Sequence, residues 1–111
     1  MLPASVRILV CTQRQDMRKS FDTLAAVVRE VLGEEPQSGA LYVFAGKSPT
    51  RVKVLWWDTN GYCLLAKRLH CALFVMPAAA EDKTSVRIDS AALAQLLTGV
   101  TREQRKRRDV H

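Results

Sequence analysis

The side chains best suited to chemistry are present but poorly arranged for it. Asp16, Asp22, Asp58, Asp82 and Asp89, with the glutamates, could supply carboxylates to a pair of metal ions. Their spacing matches no motif that would bring them together. Cys63, His70 and Cys71 are too few and too unevenly spaced for a closed zinc site. A Cys–His nucleophile pair would need a third group to orient it, and none is evident. Neither a P-loop nor a GxGxxG turn occurs. The expectation is a protein that is not an enzyme, with no catalytic residue, no bound metal and no cofactor.

Positive charge is what the sequence concentrates. Its 111 residues carry 17 Lys and Arg against 11 Asp and Glu, a net charge of +6. A surplus of that size points to a polyanionic partner, most often nucleic acid. The surplus is patterned. Residues 51–70, "RVKVLWWDTNGYCLLAKRLH", read as a β-hairpin, because Asn60-Gly61 tolerates the positive φ of a tight turn. With those two residues as the loop, Lys53 opposes Arg68, Arg51 opposes His70 and Trp57 opposes Leu64. A four-residue loop shifts the pairs but leaves the faces unchanged, whereas a three-residue loop would exchange them.

One face then carries Arg51, Lys53, Leu55, Trp57, Leu64, Ala66, Arg68 and His70. The other carries Val52, Val54, Trp56, Cys63, Leu65 and Leu69, with Lys67 and Asp58 as exceptions, and is expected to face the core. Like charges opposed on a sheet cost up to about 1 kcal/mol. A phosphate backbone would convert that cost into charge-assisted hydrogen bonds. Trp57 and Tyr62 could stack on bases. The alternative is a solvated outer face that only keeps the sheet soluble.

Two further basic segments stand outside the hairpin. The tail, residues 102–111, holds Arg102, Arg105, Lys106, Arg107 and Arg108 against Glu103 and Asp109. Such arms gain affinity by releasing counterions from DNA. Arg18 and Lys19 mark the start of a helical pattern, where Asp16 either caps the helix or pairs with Arg18. The candidate nucleic-acid-binding residues are therefore Arg18, Lys19, Arg51, Lys53, Trp57, Lys67, Arg68, Arg105, Lys106, Arg107 and Arg108.

The elements that must position these residues follow from periodicity. A strand is expected over residues 6–11. A long helix follows, because Met17, Phe21, Leu24, Val28 and Val31 form one apolar stripe. Asp16 or Ser20 caps it, and Gly33 and Pro36 stop it. Strands are expected at 41–45, on both arms of the hairpin and at 72–76, with a possible edge strand at 85–89. A shorter C-terminal helix carries Leu93, Leu96, Leu97 and Val100 on one side and Gly99 near its end. The order β-α-β-β-β-β-α gives a small α+β domain over residues 1–101, an antiparallel sheet with both helices packed on it. Residues 102–111 form a basic tail. Three cysteines without CxxC spacing suit free thiols. The N-terminal residues do not read as a signal peptide, and no apolar stretch is long enough to span a bilayer. A cytoplasmic location is expected.

Several blocks of this sequence have a familiar combination. "DMRKSFDTLAAVV", "GALYVFAG", "RVKVLWWDTNGYCLLAKRL", "FVMP" and "LAQLLTGV" occur in order from Asp16 to Val100. Together they resemble the accessory protein family of insertion sequence 66, called TnpB or Orf two-like, which is distinct from the larger RNA-guided nuclease of the same name. The resemblance implies a small protein encoded beside a transposase in a bacterial mobile element and needed for transposition. The transposase is a separate chain that carries the DDE chemistry. The implied partners are DNA at the element ends and that transposase; docking on the transposase without touching DNA is the other reading. There are departures. His70 stands where the family usually has Glu, Met76 where it has Trp, and Val100-Thr101 where it has Ile-Asp. The loop "GKSPTR" is poorer in arginine than usual.

Overall fold

The computed structural model describes residues 6–101 and residue 103. Five strands form the main sheet: β1 (Ile8–Cys11), β2 (Leu41–Ala45), β3 (Arg51–Asp58), β4 (Gly61–Arg68) and β6 (Ser85–Ile88), in the order β4-β3-β2-β1-β6. Two-residue strands β5 (Ala72–Leu73) and β7 (Val100–Thr101) pair with each other. Helix α1 (Phe21–Val27) follows β1 and helix α2 (Ser90–Thr98) follows β6.

The sheet is mixed, which corrects the antiparallel expectation. β1 and β2 run parallel, with α1 on the crossover between them. All other neighbours in the main sheet are antiparallel. A parallel pair needs a helical crossover so that its strands can be covered. The buried, continuously apolar β1 and β2 are consistent with that requirement.

The long N-terminal helix is also corrected. Helix α1 has 7 residues and continues as a π-helical turn, Val28–Leu32, that ends at Gly33 in the left-handed region. It starts at Ser20, not Asp16: the Ser20 N–H donates to Thr23 Oγ1 at 2.9 Å, and the Leu24 N–H to the Ser20 carbonyl. Asp16 shapes a separate turn, accepting the Arg18 N–H at 2.9 Å, while Lys19 N–H closes on the Asp16 carbonyl. Met17 thus leaves the helical stripe and packs over Gly46, where a Cβ would stand 2.6 Å from the Met17 Cγ.

Two apolar layers enclose the sheet. Leu24, Ala25, Val28 and Leu32 pack on Leu9, Tyr42, Phe44 and Leu55. Leu93, Leu96 and Phe74 pack on Ile8, Val10, Val43, Val52 and Val54 on the opposite face. The face expected to be open therefore carries a fully buried Leu55, because α1 covers it. The expected strand at residues 72–76 shrinks to β5. Val100 leaves the helix for β7, because Gly99 breaks it at φ +75°, where a Cβ would approach Leu69 Cδ1 to 2.5 Å.

Candidate nucleic-acid interface

The hairpin formed by β3 and β4 is regular over eight residues on each arm. Its loop is residues 59–60, not Asn60-Gly61, and Thr59 carries the positive φ, at 50°. Each pair therefore moves by one step along each arm. Arg51 opposes Arg68, Lys53 opposes Ala66, Leu55 opposes Leu64 and Trp57 opposes Tyr62. The expected pairs Lys53 with Arg68, Arg51 with His70 and Trp57 with Leu64 are corrected. The aromatic pair accounts for the choice. Trp57 and Tyr62 meet edge to face, with centroids 5.0 Å apart and planes at 79°. Such a contact contributes about 1 kcal/mol beyond its burial. The faces are as the alternation gives them, since moving one step on both arms preserves parity.

At the base of the hairpin the helix-covered face opens. Arg51 and Arg68 are exposed and directly opposed. Among the described residues neither forms a salt bridge. Two shallow grooves meet at Arg51. One, about 260 Å³, is lined by Met17, Arg51, Val52, Lys53, Ala66, Lys67 and Arg68. The other, about 370 Å³, is lined by Asp16, Arg18, Gly46, Lys47, Ser48 and Arg51 among others. Met17 also lines both.

The remaining candidates divide. Arg18 reaches this surface with its side chain 91% exposed, but Asp16 holds it: Nη2 to Oδ2 is 2.6 Å and Nε to either oxygen is 3.0 Å. The Arg18 guanidinium keeps the Asp16 carboxyl well below the usual carboxylate range, and the carboxylate raises Arg18 in turn. Lys53 Nζ donates to the Lys19 carbonyl at 2.6 Å, so Lys53 is half-buried and ties β3 to the Asp16 turn. Lys19 contributes that carbonyl. Lys67 points to the other face, where Nζ donates to the Leu97 carbonyl at 2.7 Å, near the C-terminus of α2. A cation there suits the negative end of the helix. Trp57 stands six residues along β3 from Arg51, about 20 Å away, so one chain does not bring the indole beside the cations. Arg105, Lys106, Arg107 and Arg108 lie outside the described residues.

Lys47 joins the site although the sequence alone did not single it out. Its signal was the glycine before it: Gly46 lets Met17 close over the turn and leaves Lys47 exposed beside Arg51. Among the described residues no group of three His, Cys, Asp or Glu could hold a metal ion. No helix among them is long and apolar enough to cross a membrane.

Comparison with known proteins places this small mixed-sheet domain in a family. The family model for IS66 Orf2-like proteins matches residues 6–107, and the chain belongs to that family. It is therefore an accessory protein associated with an insertion sequence. The chain is 42% identical over 102 residues to the uncharacterized protein y4hO of Sinorhizobium fredii, covering 90% of this chain and 87% of that one. It is 35% identical over 72 residues to the uncharacterized protein y4jC of the same organism, covering 65% of this chain and 62% of that one. No solved structure matches.

Proposed function

We propose that the protein is a non-catalytic accessory factor of transposition that binds DNA through its phosphate backbone, using the base of the β3–β4 hairpin. The observation that carries this reading is the exposed, directly opposed pair Arg51 and Arg68, with Lys47 and Arg18 around it. Two guanidinium groups opposed without a carboxylate repel each other, and an anion between them relieves that repulsion. Arg presents the planar fork that suits phosphate oxygens. The basic tail, with Arg105, Lys106, Arg107 and Arg108, adds counterion release to the same partner.

A gel-shift series on element ends and on random DNA, with and without the transposase, tests the reading. The expected result is binding that weakens steeply with salt on both DNAs, since phosphate contacts carry no sequence information. Binding that is absent or indifferent to salt would overturn it.

A second reading is supported by the distance between cations and aromatics. The Trp57–Tyr62 pair at the hairpin tip has the character of a protein-docking anchor, and the transposase is the partner the family implies. Co-purification lost on Trp57→Ala but retained at high salt would favour that reading.

A further inference from the structure

Among the described residues, strand β4 forms one edge of the sheet and pairs only with β3. It runs eight residues without a bulge or a proline, whereas the strand at the other edge, β6, has four. Long, regular edges recruit another strand unless charge or distortion prevents it. The backbone shows which groups β4 offers. The Leu69 N–H donates inward to the Thr50 carbonyl at 2.8 Å, and Arg51 turns its carbonyl away from β4 to receive the Gly46 N–H at 3.0 Å. Backbone direction alternates along an antiparallel strand. Cys63, Leu65 and Lys67 therefore bond toward β3, and Tyr62, Leu64, Ala66 and Arg68 turn their N–H and carbonyl groups outward.

We infer that β4 pairs antiparallel with β4 of a second copy about a two-fold axis at Leu65, and that the pairing completes the basic site. Such an axis stands perpendicular to the sheet, so opposed residues share a face. One register uses all four outward residues: Tyr62 against Arg68 of the second copy, and Leu64 against Ala66. It centres on Leu65, the leucine that β4 leaves 39% exposed. It also keeps the Arg68 side chains of the two copies at opposite ends, about 20 Å apart. A parallel pairing would set Arg68 beside Arg68.

The consequence for the site is specific. Within one chain Trp57 and Tyr62 are remote from Arg51 and Arg68. In the pair, Arg51 and Arg68 of one copy line up with Tyr62 and Trp57 of the other, on one face, in one row across four adjacent strands. Neighbouring strands lie about 4.8 Å apart, so Arg68 reaches the Tyr62 ring of the second copy as a cation–π neighbour. Each dimer carries two such rows, each a phosphate-binding pair beside a stacking pair. This consequence rests on the DNA-binding reading; the pairing does not.

Sedimentation equilibrium of the full chain without DNA tests the pairing. A concentration-dependent dimer is expected. Ala66→Pro removes one central outward donor without touching a bond to β3, and should give a monomer with unchanged circular dichroism; Ala66→Val should remain dimeric. Leu65→Cys in a Cys63→Ser, Cys71→Ser background should cross-link to itself on mild oxidation, because axial residues of an antiparallel pair approach to about 4.5 Å. That arm stands even if Ala66→Pro fails to fold. A wild-type monomer, a dimer indifferent to Ala66→Pro, or a Leu65→Cys variant that does not cross-link overturns the inference. A monomer that still binds DNA with a steep salt slope refutes the pairing alone; a dimer that binds no DNA supports the pairing and refutes the reading of the site.

Discussion

Asp16 is the residue that most changes how the basic surface should behave. It lines the same groove as Lys47 and Arg51 and holds Arg18 through two oxygens. A carboxylate in that position does for Arg18 what a phosphate would do. Asp16→Asn keeps an oxygen for the Arg18 N–H but releases the guanidinium. Its expected effect is tighter binding to duplex DNA, with a log–log salt slope steeper by about 0.9 for the one added phosphate contact. A titration at two salt concentrations checks it. The same pair sets a pH dependence. The folded carboxyl is held below its ordinary value, so the stability it adds is fully present above about pH 4 to 5 and is lost as pH falls through the lower folded value. The stability difference between wild type and Asp16→Asn should be constant near neutrality and shrink in acid, as read by urea unfolding at several pH values. Little of this could be read from the sequence. "DMRK" left open whether Asp16 caps a helix or pairs with Arg18. The outcome depended on Ser20 and Thr23 capping the helix four residues later.

At the scale of elements, short apolar runs bounded by turn residues located β2, both hairpin arms and the edge strand β6. Helix α2 starts after Asp89, whose side chain accepts the Ala92 N–H at 2.8 Å. Alternation could not give the hairpin register. Asn-Gly is the stronger local turn signal, yet the loop falls one residue earlier, where the aromatic contact and the Leu55–Leu64 pair under α1 are formed. The consequence is a β-branched residue at positive φ, which is strained. Thr59→Gly should therefore stabilise the protein by about 1 kcal/mol, seen as a higher denaturation midpoint with an unchanged m value. A loss of stability would mean that Thr59 is not under strain. Nor could alternation reveal the parallel pairing of β1 and β2. That depends on where a crossover helix sends the chain, and both strands are apolar on both faces.

For the whole molecule, the difference between a two-layer and a three-layer domain decides where the open surface lies. A hairpin with one solvated face would leave Leu55 in water. Instead it is fully buried under α1. Leu55→Ala should cost about 3 kcal/mol, as for other buried leucines, and chemical denaturation measures it directly. A cost of a few tenths would restore the two-layer picture. The helix cover leaves the hairpin base as the open part of this face, where Arg51, Arg68 and Lys47 remain exposed. On the proposed reading, the net charge of +6 would act as a long-range attraction toward a polyanion, and those few side chains would set the contacts.

The central claim is that Arg51 and Arg68 neutralise DNA phosphates, and the salt dependence of duplex binding by wild type and by the Arg51→Ala, Arg68→Ala double variant measures it most directly. Two lost phosphate contacts should flatten the log–log slope by about 1.8 and weaken binding on every sequence alike. An unchanged slope, with affinity intact, would contradict the account.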